Sequence, residues 1–245
     1  MRPLLIVKSG RTLPELASRR GDYEDWIAAG MGLAPARLRI VHVYQDEPLP
    51  AHDLVAGVVV TGSSAMVSHR EPWSERTAAW LANAVRAGTP VLGICYGHQL
   101  LAHGLGGRVA PNPRGREIGT VEISLNSAAR RDPLFGELPA RVRMQATHFE
   151  SVLELPVGAR LLAGSDRDPH QSFAIGDRAW GMQFHPEFDA DVVRAYLAAR
   201  RELLLAEGLD PEALRRAASD SPHGGVLLRR FAGLLHDGRP APRRG

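Results

Sequence analysis

Cys95 is the only cysteine among 245 residues, and its setting suits it to nucleophilic chemistry. It lies in Gly93-Ile94-Cys95-Tyr96-Gly97-His98-Gln99, directly after the apolar run Thr89-Pro90-Val91-Leu92. The run reads as a buried strand, and Gln99-Leu100-Leu101-Ala102-His103 reads as the start of a helix. A small-x-Cys-x-Gly sequence between the two is the pattern of a nucleophile elbow. Gly93 and Gly97 leave room for a sharp turn that lifts the thiol above the sheet. The helix N-terminus beneath it favours the thiolate, which is the reactive form. A lone cysteine is otherwise a small buried hydrophobe, so the catalytic reading needs partners elsewhere in the chain.

A thiol nucleophile requires a base, and the base requires an orienting group. Trp180-Gly181-Met182-Gln183-Phe184-His185-Pro186-Glu187-Phe188 supplies both. His185 falls where an apolar strand ends, Pro186 fixes the local backbone, and Glu187 stands two residues beyond the histidine. A carboxylate at that spacing can accept from one imidazole nitrogen while the other faces Cys95. Ten histidines are present, and any one alone reads as a solvated or core ring. The elbow and the His-Pro-Glu segment together single out His185.

The elements that must bring these segments together follow from hydrophobic periodicity. Strands are predicted at Leu4–Val7, Leu38–Tyr44, Val58–Thr61, Pro90–Ile94, Thr120–Leu125, Val142–Thr147, Arg160–Ala163, Gln171–Ile175 and Ala179–Phe184. Helices are predicted at Asp22–Ala29, at Ser74–Ala87 with Ser74 as N-cap, and at His98–His103. Strands alternating with helices imply parallel βαβ units in a doubly wound sheet. After Gly106 the strands crowd together, which predicts a partly antiparallel extension of the same sheet. Asp189–Glu207 reads as one long helix, with shorter helices at Pro211–Ala218 and Val226–Leu235. The expected fold class is α/β: a doubly wound, mostly parallel sheet flanked by helices. The expected organisation is a main domain over 1–207, a C-terminal helical extension over 208–236, and a disordered basic tail over 237–245.

With these residues in place, the chain resembles the class I (triad-type) glutamine amidotransferases, which have a flavodoxin-like fold. The two signatures are Gly93–Gln99 and Phe184-His185-Pro186-Glu187. Between them, Thr61-Gly62-Ser63-Ser64 resembles the family's oxyanion-loop segment. Thr147-His148-Phe149-Glu150-Ser151-Val152 resembles its substrate-side segment. Asn112-Pro113-Arg114-Gly115-Arg116-Glu117-Ile118-Gly119 resembles the stand-alone branch akin to the glutaminase domain of GMP synthase. The likeness runs over roughly residues 1–200 in consistent order.

The resemblance implies roles for individual residues. Cys95 would attack the side-chain amide of glutamine to form a γ-glutamyl thioester, with His185 as base and Glu187 fixing its tautomer. Backbone N–H groups of Ser63 and Tyr96 would meet the oxyanion. Gln99 and the backbone around His148 and Phe149 would hold the substrate, and His148 would not be the base. Two positions depart from the family pattern: Ser64 stands where proline is usual, and Phe149 where synthase-linked members often have glycine.

No Gly-x-x-x-x-Gly-Lys-[Ser/Thr] loop is present, and the chain leaves no room for a synthetase domain. Two modes of action follow: supplying ammonia to a separate synthetase chain, or acting alone as a γ-glutamyl hydrolase or transferase. A non-catalytic thiol sensor that keeps the fold is the reading from another class.

Composition narrows the remaining options. The net charge is +3, and Ser219–Gly245 carries all of it through five arginines and two aspartates. That distribution reads as a solvated tail and not as a nucleic-acid surface. No apolar run reaches membrane-spanning length, the N-terminus lacks a signal peptide, and one cysteine forms no internal disulfide. The expectation is a cytoplasmic protein that takes a small-molecule substrate and needs neither metal nor cofactor.

Overall fold

The computed structural model describes residues 2–235, so the predicted tail at 237–245 lies outside the described residues. Strand β1 (Leu4–Lys8) shows how the sheet is built, because all five of its residues are buried. Leu4 and Ile6 pack into one hydrophobic core, and Leu5 and Val7 into another. Period-two alternation thus sends side chains to opposite faces, and both faces are covered by helices. Full burial of one such side chain contributes about 1.5–3 kcal/mol.

β1 pairs in parallel with β2 (Leu38–His42) and β3 (Gly57–Val60), and β3 pairs in parallel with β4 (Val91–Ile94). Helices α1 (Pro14–Arg20), α2 (Tyr23–Met31), α3 (Pro72–Arg86) and α4 (Tyr96–Gly104) follow the early strands. Beyond α4 come β5 (Arg108–Pro111), β6 (Glu117–Leu125), β7 (Arg141–His148), β8 (Glu150–Glu154), β9 (Arg160–Gly164), β10 (Ser172–Ile175) and β11 (Ala179–Met182). The chain continues through α5 (Ala190–Ala199), α6 (Arg201–Ala206), α7 (Pro211–Ala217) and α8 (Pro222–Leu234). The main sheet has nine strands in the order β2-β1-β3-β4-β11-β10-β9-β6-β7. β11 joins β4 in parallel, whereas β10, β9, β6 and β7 add on antiparallel. This is the α/β sheet with an antiparallel extension that the sequence predicts. β5 and β8 form a separate two-stranded sheet.

The two cores lie on the two faces of the sheet. Leu16 of α1, Ile27 and Met31 of α2, Val192 and Tyr196 of α5, and Leu227, Leu228 and Phe231 of α8 share one core. Ala78, Leu81 and Ala84 of α3 and Leu100 and Leu101 of α4 share the other. Gly93 and Gly97 are small because neighbours demand it. A Cβ on Gly93 would lie 2.3 Å from the Gly97 carbonyl oxygen, and one on Gly97 would lie 2.5 Å from the Val60 carbonyl oxygen. α4 therefore starts almost in contact with the backbones of β3 and β4.

Several predicted boundaries need correction. The helix predicted from Asp189 to Glu207 is two helices, because Arg200 leaves helical geometry (φ −105°, ψ 14°). Ala198, Ala199, Arg201 and Glu202 are ordinary helix formers, so no local signal marks the break. Ser74 does not cap α3. The helix begins at Pro72 after Glu71, which makes no side-chain cap, and proline is favoured at the first helical position. The Ser74 hydroxyl instead hydrogen-bonds the Tyr96 hydroxyl at 2.6 Å. β2 ends at His42, where a 3-10 turn over Val43–Gln45 takes over, and β11 ends at Met182, short of Phe184. α1, β5 and β8 were not predicted. They are short, and β5 has no buried residue to establish an alternation.

The close approach at the elbow makes a stability prediction. Gly97→Ala should destabilise the fold by about 2–3 kcal/mol or more, because the Val60 carbonyl cannot yield without disturbing β3. Gly233→Ala, at an exposed helical position with nothing near the added methyl, should stabilise by about 0.5–1 kcal/mol. Urea unfolding of the two variants measures both, and equal midpoints would contradict the packing argument.

Candidate active site

The carboxyl ends of β1, β3, β4 and β11 converge on one rim of the sheet, where ligands bind in open α/β folds. Cys95 stands at the end of β4 with φ 51° and ψ −100°. A left-handed backbone at a non-glycine residue costs of order 1–3 kcal/mol and persists only when the surroundings impose it. Here the Cys95 N–H donates to the Met182 carbonyl at 2.8 Å, and the Cys95 carbonyl accepts from Gln99 N–H at 3.1 Å. The turn is clamped from β11 on one side and from α4 on the other.

The same pairing of β4 with β11 delivers His185, three residues beyond Met182. The His185 N–H donates to the Gln145 carbonyl at 2.8 Å, which ties the strand end to β7. His185 Nδ1 lies 2.8 Å from Glu187 Oε1. A carboxylate only accepts, so Nδ1 carries the proton and Nε2 is left for the thiol. The Phe188 ring stacks on the imidazole at 3.9 Å, and the Tyr23 ring lies near-parallel to it at 6.2 Å. A Cβ on Gly62 would come within 2.8 Å of His185 Cε1. The imidazole is thus fixed in tautomer, plane and position.

Electrostatics follow from this enclosure. Burial pushes the Cys95 thiol up, but the charge of His185 and its hydrogen bond outweigh burial and hold the thiol below its ordinary value. Burial pushes His185 down, but the charges of Glu187 and of Cys95 outweigh it and raise the ring to about 10. Both shifts favour a thiolate–imidazolium pair, backed by a carboxylate, over the neutral pair.

Ser63 lies at the end of the loop after β3, facing the turn after β1. Its hydroxyl donates to the Ser9 carbonyl at 2.8 Å and accepts from Ala65 N–H at 3.1 Å. Thr61 Oγ1 accepts from Ser9 N–H at 3.0 Å and donates to the Gly62 carbonyl at 3.0 Å. Farther along, Glu150 Oε2 accepts from Val67 N–H at 2.8 Å. These bonds brace a segment in which Ser64 replaces the expected proline. Among the described residues, no hydrogen bond engages the backbone N–H of Ser63 or Tyr96. The Tyr96 side chain points away from the rim, bonded to Ser74 and stacked on Trp73.

Cys95, Ser63, Tyr96, Gln99, His148 and Phe149 line one narrow cleft, and His185 and Glu187 are not among its lining residues. Gln99 Nε2 donates to the Glu150 carbonyl at 2.8 Å and to Gln183 Oε1 at 3.0 Å. Both nitrogens of the buried His148 ring are occupied, Nδ1 by the Glu150 carbonyl at 3.0 Å and Nε2 by Glu117 at 3.0 Å. That ring has no nitrogen to spare for the thiol. A wider cavity of about 390 Å³ is lined by Glu187, Trp26 and Leu228, and neither a cysteine nor a histidine lines it.

Sequence reasoning assigned no role to Arg116, Arg200, Met66 or Thr147, which also line the cleft. Arg116 lay within the segment used for the resemblance. Arg200 carried no signal, since an arginine in an apparent surface helix reads as solvated. Phe188 and Tyr23 were likewise missed as the clamp on His185.

Comparison with known proteins identifies the family. The family profile of class-I glutamine amidotransferases matches residues 23–200, and the chain belongs to that family. It is 38% identical over 162 residues to a GMP synthase [glutamine-hydrolyzing] of Thermomicrobium roseum, covering 63% of this chain and 29% of the relative. It is 34% identical over 139 residues to gamma-glutamyl peptidase 4 of Arabidopsis thaliana, covering 56% and 55%. The chain thus spans less than a third of the length of the GMP synthases that it matches first. A crystal structure of a glutamine amidotransferase from Thermotoga maritima superposes with a TM-score of 0.74 at 22% identity, covering 96% of this chain and 99% of the other. That likeness concerns the fold. No helix among the described residues is long and apolar enough to cross a membrane.

The charge arrangement predicts a pH signature. Cys95 should be alkylated by iodoacetamide well below pH 8.5, the ordinary range of a free thiol. Glu187→Gln removes the carboxylate that most strongly raises His185, so the imidazolium weakens and the thiol's pKa should rise. Glu187 also repels the thiolate directly, but that effect ranks below the charge of His185. The alkylation midpoint should therefore move to higher pH in Glu187→Gln. A midpoint that stays or falls would show that Glu187 does not support the pair.

Proposed function

We propose that the chain hydrolyses the γ-amide of glutamine or of a γ-glutamyl compound through a γ-glutamyl thioester on Cys95. The observation that carries this reading is the Cys95–His185–Glu187 row beside two unengaged N–H groups. The Cys95 thiolate attacks the amide carbon, and the carbonyl π electrons move onto oxygen. The N–H groups of Ser63 and Tyr96 take up that oxyanion; losing one such donor typically costs about 3–4 kcal/mol. The His185 imidazolium gives its proton to the nitrogen, and ammonia or an amine leaves as the C–N bond breaks. The neutral imidazole then removes a proton from water, hydroxide adds to the thioester, and glutamate leaves as the thiolate re-forms beside the imidazolium. Glu187 holds the ring in the tautomer that serves both steps.

Gln99 and the backbone at His148 and Phe149 contact the amino-acid end of the substrate in this reading. The GMP synthase relatives support an ammonia-accepting synthetase as partner. The γ-glutamyl peptidase relative supports hydrolysis without one, with an amino acid or peptide as leaving group.

Release of glutamate from glutamine and from γ-glutamyl dipeptides should be measurable in the wild type. Cys95→Ser should lower turnover by at least about 10³-fold, in line with losses from disabled nucleophile–base pairs. Equal turnover in the two proteins would overturn the assignment.

A further inference from the structure

The cleft that contains Cys95 also contains two arginines, and their situations differ. Arg116 is compensated. Its guanidinium donates twice to the Glu207 carboxylate, at 2.9 and 3.1 Å, and lies over the Phe149 ring at 5.2 Å. Arg200 is not. Its Nη1 donates to the neutral Thr147 hydroxyl, and the group lies over the Tyr196 ring at 5.1 Å. Among the described residues no carboxylate reaches it. Burial first, then the neighbouring charge of Arg116, lowers its affinity for a proton below that of an ordinary arginine. A half-buried guanidinium beside a second cation, with donors to spare, is disfavoured until an anion arrives.

The backbone is arranged around this group. α5 and α6 part at Arg200, and its side chain lines the cleft. Thr147 and Tyr196 hold it from β7 and α5, and the Tyr196 hydroxyl is itself fixed by Tyr23 at 2.8 Å and Thr12 at 2.9 Å. The guanidinium fork is pre-positioned, and its remaining donors match the two oxygens of a carboxylate.

We propose that Arg200 is the carboxylate-binding residue of the cleft. This rests on the reading of the cleft as a γ-glutamyl site. Glutamine and γ-glutamyl peptides present an α-carboxylate, and a γ-glutamyl amino acid presents a second on its leaving group. Either is the ligand chemistry that Arg200 selects.

The test compares wild type, Arg200→Gln and Arg200→Lys on matched substrates. Glutamine is set against its α-carboxamide, and γ-glutamylglycine against γ-glutamylethylamine. Wild type should prefer the acid in at least one pair, through KM. Arg200→Gln should raise KM for that acid by roughly 10- to 100-fold, as for loss of a charge-assisted bidentate contact, and leave the neutral compound unchanged. Arg200→Lys, which keeps the charge but loses the fork, should fall between. Loss of preference in the first pair assigns the α-carboxylate, and loss in the second assigns the leaving group.

Cys95 alkylation supplies a readout that needs no turnover. The rate ratio of iodoacetate to iodoacetamide should fall several-fold in Arg200→Gln, and circular dichroism should show the fold intact. If the wild type hydrolyses none of these compounds, the functional reading fails while the alkylation ratio still decides the role of Arg200. An unchanged ratio, or equal KM increases for the acidic and neutral members of both pairs, would overturn the proposal.

Discussion

The site depends on one backbone constraint, the left-handed turn at Cys95. A residue with a Cβ is held there at φ 51° because the strand before it and the helix after it cannot separate. Gly93 and Gly97 let β4, α4 and β3 approach to distances that a single methyl would prevent. The Cys95 N–H still completes the ladder to β11. The strain is therefore overdetermined by sheet pairing and helix packing, which together far exceed its cost of about 1–3 kcal/mol. Because the constraint is shared between β4 and β11, the turn that raises the thiol also fixes where the next residues of β11 emerge. His185 meets Cys95 through parallel register, not through a flexible loop.

Charge inside this frame is handled by pairing. A buried imidazolium or thiolate alone would be unfavourable by several kcal/mol and would neutralise. Cys95, His185 and Glu187 stand in alternating sign, so each charged form supports its neighbour. The same logic recurs nearby. His148 is buried against Glu117, which also accepts from Gln171 at 2.5 Å and Ser165 at 2.7 Å. Lys8, the only lysine, is buried at the end of β1 between Asp22 at 2.8 Å and Glu24 at 2.5 Å. Asp22 in turn caps α2 through a reciprocal pair with Asp25. The rim of the sheet is thus rich in ionised groups, and nearly all are closed into local networks. Arg200 stands out because its contacts are a hydroxyl and a ring.

The part of this arrangement that was legible in the sequence is the part encoded by contiguous residues. The elbow and the His-Pro-Glu segment each carry their chemistry within a few positions, so Cys95, His185 and Glu187 could be named before any coordinates. The parallel strands were legible because burial on both faces leaves uninterrupted apolar runs such as Val58-Val59-Val60. β5, with half-exposed positions and no buried ones, left no such trace. The break at Arg200 was illegible for a different reason. Local propensity favours a continuous helix there, and contacts from β7 and from the Tyr196 ring coincide with the departure from it. Ser74 misled because serine at the third helical position looks like a cap when the preceding Pro72 is not counted as the first.

Side chains explain how the loop after β3 tolerates its departure from the family pattern. A proline would restrict one backbone angle at position 64. Here the restraint is moved one residue earlier and made by hydrogen bonds: Ser63 bridges Ser9 and Ala65, while Thr61 bridges Ser9 and Gly62. These bonds fasten β1 to β3 at the point where the strand order reverses, the crevice in which doubly wound sheets place ligands. Glu150 fastens the following turn from the opposite wall, and its carbonyl receives both Gln99 and His148. The two walls of the cleft are therefore joined through Glu150. Phe149 meets the Arg116 guanidinium across its ring at 5.2 Å. Within one rigid sheet, the reacting end is held by backbone geometry. The far end is shaped by Arg200 between α5 and α6, by Arg116 just before β6, and by Thr147 of β7.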